Sequence, residues 1–342
     1  MELTLNLPLN FYDIVVEKGA LKRINEFLSL KGKILLVFDD LIPNQYIEMF
    51  LKHFPNAIKH VFTHGESHKN YEEYLRILSS LAENEFSRSD NIVSLGGGVC
   101  SDLAGFAAST YMRGINFYII SSTFLADVDA SIGGKVAINF NHYKNLVGSF
   151  YQPKKVIIDP DLLKTLNNRL YFEGLVESIK MAATYDKNLF DFIDSLDTKD
   201  KIEENIEEII YRSLLIKKDI VEKDEKENGL RKILNFGHTV GHAIEGLSNG
   251  ELYHGECVGI GMTYFSSTEV EKRIINILKR FSLPYIDHYS TKEIMTFLKH
   301  DKKKKTDDLI TICYVEKIGE YQLIDLSIAE IENRIARKKH EK

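Results

Sequence analysis

An α/β N-terminal domain built on a parallel sheet, followed by a mostly α-helical C-terminal domain, is the fold class that this 342-residue sequence predicts. Two patterns carry the prediction. Through the first half, short apolar runs alternate with amphipathic stretches; after about residue 160, long segments of helical periodicity take over. Strand–helix alternation favours a parallel sheet, because a parallel connection needs a crossover long enough to hold a helix.

KILLVF (33–38), NIVSLG (91–96) and INFYIISS (115–122) read as buried strands, since unbroken apolar runs fit strands covered on both faces. Between the first two, YEEYLRILSSLAENEF (71–86) carries apolar residues at helical spacing. Further on, KIEENIEEIIYRSLLIKKDIV (201–221) reads as one long helical segment, with Ile202, Ile206, Ile209, Ile210 and Leu214 along a single stripe. The stretch QPKKVIIDPD divides the chain into expected domains 1–157 and 158–342.

Charge and cysteine content exclude several classes. A net charge of −6 gives no electrostatic case for a nucleic-acid binder, and the lysine run at 302–305 is local. Cys100, Cys257 and Cys313 are widely spaced and odd in number, so neither a disulfide framework nor a CxxC metal knuckle can be built. MELTLNLPLNFYDIVV lacks the basic-then-apolar order of a signal peptide, and no apolar run approaches the ~20 residues a membrane span needs. A cytoplasmic protein with no membrane partner is expected.

LGGGVCSDLAGFAAS (95–109) follows an expected strand and opens an expected helix. Its glycines let backbone approach a ligand, and a helix N-terminus offers unpaired N–H groups to phosphate. This is not the GxGxxG fingerprint, because Gly98 is followed by Val99, Cys100 and Ser101. The acid-ended strand KILLVFDD, with Asp39, also precedes the glycine turn instead of following it. Nucleotide binding and a plain tight turn both fit. Downstream, Lys135 follows Gly133–Gly134 and Lys144–Asn145 lies nine residues on; such donors suit an anion, and equally suit an exposed loop.

In LNFGHTVGHAIEG (234–246), His238 and His242 stand four apart and share one helix face. His254 follows in YHGE. HTVGH is like half of HExxH, but Thr239 stands where a zinc protease has its glutamate. A metal pair, a ligand beside a catalytic base, and two core histidines all fit this spacing.

Taken in order, GGGVCSDLAGFAASTYMRGI, STFLADVDASIGGKVAIN, KNLVGSFYQP, EKDEKENGLRKILNFGHTVGHAIE and YHGECVGIGM resemble the 3-dehydroquinate synthases, a sugar-phosphate cyclase family. The resemblance runs from about residue 33 to 303. It implies a Rossmann-like, NAD-binding first domain and a metal- and substrate-binding second one. Glu177 of EGLVESIK, His238 and His254 would hold zinc, or alternatively cobalt, with His242 a substrate-side acid/base. Glu227 matches a proton-transfer position. Arg231, Asn235, Lys217 and Lys180 match substrate contacts, as do Lys135, Asn145 and Asp129 in the first domain. Arg113 matches an arginine lent by the neighbouring subunit of a homodimer. The DKK of 301–303 matches a further lysine contact, taken as Lys302 with Lys303 the alternative. NAD+ positions fall on Asp39, Glu66, Lys69, Gly97, Gly98, Val99, Asp102, Ser122, Thr123, Lys144 and Thr165.

The reaction so implied converts 3-deoxy-D-arabino-heptulosonate 7-phosphate to 3-dehydroquinate and phosphate in the shikimate pathway. Transient oxidation by NAD+, β-elimination of phosphate, re-reduction and aldol closure follow one another, so NAD+ is recycled. The chain departs from the family pattern at Asn167, where proline is usual, at Val176 before the zinc carboxylate, and at Leu41, often polar. A metal-dependent polyol dehydrogenase and a cyclase for another sugar phosphate are the competing readings.

Overall fold

The computed structural model describes residues 1–8, 10–141, 143–302 and 309–341, which form two compact units, Met1–Asn167 and Asn168–Lys342. The division falls after Asn167, beyond the expected 157. The turn Pro160–Thr165 stays with the first unit because Leu162 is buried in its core, and Asp159 accepts backbone N–H bonds from Gly19 and Leu21 at 2.8 and 2.9 Å.

The first unit contains strands β1 (Glu2–Asn6), β2 (Phe11–Val16), β3 (Ile34–Asp39), β4 (Ile58–Phe62), β5 (Asn91–Gly96), β6 (Asn116–Ser121), β7 (Lys135–Phe140), β8 (Tyr143–Phe150) and β9 (Lys155–Ile158). Seven form one sheet in the order β1-β2-β9-β6-β5-β3-β4, parallel except for the β1–β2 pair. The three strands expected from sequence appear as β3, β5 and β6. Every residue of β5 is buried, as a strand covered on both faces requires. Leu36, Phe38, Phe50, Val93, Leu95, Ile120 and Ile157 lie in one of the unit's apolar clusters. The expected helix spans Tyr71–Glu83, with Asn70 accepting the Glu73 N–H at 2.9 Å as its N-cap.

Within this sheet the order β4-β3-β5-β6-β9 explains the displaced acid. Chain succession reverses between β3 and β5, and open α/β sheets bind ligands at the carboxyl ends of strands flanking such a switch point. Asp39 ends β3 and Gly96 ends β5, so the acid and the glycine turn meet although the acid comes first in sequence. The segment read as glycine turns with lysines is instead an antiparallel hairpin of β7 and β8.

The second unit is mostly helical. The expected 201–221 helix is two helices, Lys199–Glu204 and Ile206–Lys223, parted at Asn205. The Asn205 side chain bonds back to the Lys201 carbonyl at 2.8 Å, the competition for backbone groups that makes asparagine a helix interrupter. An antiparallel hairpin of β10 (Leu309–Lys317) and β11 (Glu320–Ser327) also belongs here, which helical periodicity did not anticipate. Its tip is tied to the helix Asn168–Tyr185 by the Gly319 N–H on the Ala183 carbonyl, 2.8 Å. Among the described residues no helix is long and apolar enough to cross a membrane.

Candidate active site

Three helices of the second unit supply the clustered histidines and their carboxylate. Asn168–Tyr185 carries Glu177 and Lys180 three residues apart, both buried. His238–Leu247 carries His238 and His242, and His254 opens His254–Tyr264. The last two helices approach closely because of glycine: a Cβ on Gly261 would stand 1.9 Å from the Gly237 carbonyl oxygen. Gly237 itself adopts φ 79°, a left-handed turn that starts the histidine helix.

Potential ligand atoms of His238, His242 and His254 all lie within 4.8 Å of one another. The His238 and His254 Nε2 atoms are 3.9 and 3.7 Å from Glu177 Oε1. Their Nδ1 atoms are engaged elsewhere, with the Phe236 carbonyl at 3.2 Å and Glu245 Oε2 at 3.1 Å. Lys180 pairs with Glu177 Oε2, while Oε1 is buried with no hydrogen-bond partner among the described residues. A buried carboxylate oxygen without a partner is costly, and a cation removes that cost. Donors each about 2.0–2.1 Å from one zinc ion lie at most ~4.2 Å apart, and both separations between Glu177 Oε1 and the imidazoles meet that limit. His242 is the exposed member of the histidine trio.

The two imidazoles differ electrostatically. Burial, with Lys180 and the other two histidines adding to it, holds His238 well below the usual imidazole value, so it is neutral and has a free lone pair. Burial alone would lower His254, yet its bond to Glu245 and the charge of Glu177 raise it. Glu173 is pushed up to about 7, chiefly by burial, and accepts the Gly255 N–H at 3.2 Å beside His254.

The loop before the histidine helix is organised by Asp224, which accepts the N–H groups of Asn228, Gly229 and Arg231 at 2.8, 2.7 and 3.0 Å. Although burial opposes it, these bonds hold the Asp224 carboxyl below its ordinary range. Glu227 sits in this loop at φ 60° and accepts the Asn235 side-chain N–H at 2.6 Å. Buried Arg231 donates to the Glu225 carbonyl, and Lys217 is buried on the helix Ile206–Lys223.

In the first unit, the helix Gly98–Thr110 begins directly after β5. A Cβ on Gly97 would meet the Thr123 side chain at 3.0 Å, and the Ser122 N–H bonds the Gly96 carbonyl at 3.1 Å. The Cys100 thiol donates to the Val37 carbonyl at 3.2 Å, fixing this turn to β3. Lys69 pairs with Asp102 and donates to the Asn145 side-chain oxygen. Burial pushes the Asp102 carboxyl up to about 6, against the pull of Lys69. Asn139 links this group to Glu66: it donates to Glu66 Oε1 at 2.9 Å and accepts the Asn145 N–H at 2.9 Å. Burial raises Asp39, which accepts the Leu41 N–H at 3.0 Å.

Other expected residues fall outside these two networks or at their edge. Lys135 and Lys144 stand exposed on the β7–β8 hairpin, and Asp129 is half-buried in the turn Ala126–Ala130. Arg113 is exposed at φ 67°, and Thr165 bonds the Leu162 carbonyl at 3.1 Å within its own turn. Leu41 is exposed. The side chain of Lys302 and all of Lys303 lie outside the described residues.

Profiles of the 3-dehydroquinate synthase N-terminal and C-terminal regions match residues 59–173 and 174–304. The chain belongs to the 3-dehydroquinate synthase family. The 3-dehydroquinate synthase of Lactococcus lactis subsp. cremoris is 40% identical, over 97% of this chain and 98% of the relative. That of Clostridium acetobutylicum is 42% identical over 92% and 96%. Among solved structures, 2-deoxy-scyllo-inosose synthase in complex with carbaglucose-6-phosphate, NAD+ and Co2+ has the same fold, with TM-score 0.89 and 22% identity over 98% of this chain and 100% of that one. The 2-epi-5-epi-valiolone synthase of Streptomyces hygroscopicus with NAD+ and Zn2+ gives 0.86 and 24%, covering 97% of each.

For a member of the 3-dehydroquinate synthase family, the fold adds residues that motif reading passed over. Asn139, Asp224, Glu173 and Glu245 act through other side chains or backbone, so no ligand-type spacing marks them. The only sequence signal is the Asn228–Gly229 turn after Asp224.

Proposed function

We infer that the chain is a 3-dehydroquinate synthase, a phosphorus–oxygen lyase that turns 3-deoxy-D-arabino-heptulosonate 7-phosphate into 3-dehydroquinate and phosphate. The observation that carries this reading is Glu177 Oε1, buried without a hydrogen bond among the described residues and 3.9 and 3.7 Å from two imidazoles, in a chain of this family. When bound, a divalent ion, Zn2+ or Co2+, supplies Lewis acidity and NAD+ a reversible hydride acceptor.

Glu177, His238 and His254 would hold the ion, and Lys180 balances the charge of Glu177. His242, exposed beside them, takes and returns the proton at the reacting carbon or its leaving phosphate. Glu227, oriented by Asn235, is the second proton handler. Lys217 and Arg231, both buried in the second unit, offer charge-assisted bonds to the substrate's anionic groups. Gly97, Gly98 and Val99 at the helix N-terminus suit the pyrophosphate of NAD+, with Asp39 and Lys69 nearby on neighbouring elements.

A homodimer belongs to the same reading. The β7–β8 hairpin exposes Phe140, Tyr143, Leu146, Val147 and Phe150, an apolar strand surface of the kind that a second copy covers. Tyr151 at its end bonds the Ile115 carbonyl at 2.6 Å, next to the turn that presents Arg113. Three buried free cysteines support a cytoplasmic location.

The test is phosphate release from the heptulosonate phosphate, with and without NAD+ and a chelator. Release that needs both NAD+ and metal, without net NADH, is the expected result. Net NADH from a glycerol-type alcohol would favour a polyol dehydrogenase, and turnover of sedoheptulose 7-phosphate alone another cyclase.

A further inference from the structure

We propose that Glu245 is a positioning residue for the metal site, fixing His254 so that its Nε2 faces Glu177. The proposal rests on the reading of Glu177, His238 and His254 as ligands. Glu245 lies seven residues after His238 and three after His242, so all three share one stripe of the helix His238–Leu247. From that stripe it reaches to the next helix, where its Oε2 stands 3.1 Å from His254 Nδ1. A carboxylate can only accept, so this bond sets the proton on Nδ1 and leaves the Nε2 lone pair on the side of Glu177 Oε1, 3.7 Å away.

The two imidazoles are therefore held differently. His238 is oriented by a neutral backbone carbonyl at 3.2 Å, whereas His254 is oriented by an anionic side chain that a single substitution removes. A carboxylate on the far nitrogen also raises the basicity of the donor nitrogen, so it adds to affinity as well as to geometry.

The experiment measures Zn2+ affinity by competition with a chromophoric chelator in full-length wild type, Glu245→Gln, Glu245→Ala and His254→Ala. The melting temperature of each metal-free protein and the visible spectrum of each Co2+ form are recorded alongside. Glu245→Ala should bind zinc roughly 10–100-fold more weakly, with Glu245→Gln between it and wild type. Metal-free melting temperatures should be unchanged and the Co2+ spectrum altered. If His254→Ala loses zinc but both Glu245 variants bind it like wild type, the proposal fails while the ligand reading stands. If Glu245→Ala weakens binding only together with metal-free stability, and Glu245→Gln behaves as wild type in both, Glu245 merely packs and the proposal also fails. Normal zinc binding by His254→Ala would overturn the ligand reading and this proposal with it.

Discussion

Inside the second unit the Lys180 ammonium pairs with Oε2 of Glu177 and leaves Oε1 of the same carboxylate with no hydrogen-bond partner among the described residues. The side chain is thus half neutralised and half prepared for a second cation.

Lys180→Met removes the half that is present. Breaking a buried pair from one side costs about 3–5 kcal/mol, because the remaining charge is stranded. The metal-free variant should therefore unfold at lower denaturant than wild type. Zinc should narrow the gap because its charge replaces the missing ammonium and so stabilises the folded variant more than the folded wild type. Urea titrations with and without zinc read both quantities.

Two histidines of the cluster should separate by phenotype. His242→Ala is expected to keep zinc and lose on the order of 10²–10⁴-fold in turnover, the usual contribution of a proton-transfer group. His254→Ala should lose the metal. Metal analysis of the purified variants decides the matter, and equal zinc loss in both would make His242 a ligand.

Gly261→Ala tests the helix approach that brings the imidazoles together. Its new Cβ would stand 1.9 Å from a backbone oxygen, so the helices His238–Leu247 and His254–Tyr264 must part. A stability loss of about 1–3 kcal/mol and weakened zinc binding are expected, by thermal melting and chelator competition.

Asp127 gives a pH test in the first unit. It is fully buried, and burial pushes it up to about 8 against the opposing pull of the Ser121 hydroxyl. Folding raises this acid's pKa, so the native state holds a proton that the unfolded chain has released. Its contribution to stability is full below about pH 4 and declines as pH climbs towards 8. Asp127→Asn, which stays neutral, should melt higher than wild type at pH 8, with the difference shrinking towards pH 4. An equal difference at both ends would refute the assignment.

Much of the fold was legible along the chain. The apolar runs that became β3, β5 and β6 were visible because burial on both faces leaves no alternation to misread. The β10–β11 hairpin was missed because it lies within a half dominated by helical periodicity. The helix break at Asn205 escaped because the apolar stripe continues across it, and only the side chain's bond to the Lys201 carbonyl shows the interruption. In the site, His238, His242 and His254 stood out by type and spacing, whereas Glu177, Glu227 and Arg231 came only from the resemblance to a known family. Asn139, Asp224 and Glu245 came from neither, since each acts on a partner brought near by folding.

By itself, then, the sequence determined the strand–helix alternation, the glycine turn after β5, and the pairing of His238 with His242 on one helix face. These depend on neighbours within a few residues. Tertiary structure alone decided that Asp39 meets a glycine turn nearly sixty residues later in the chain, and that Glu177 Oε1 lies between two imidazoles from two other helices. Such meetings depend on strand order and on the close helix approach that Gly237 and Gly261 permit, and local periodicity encodes neither.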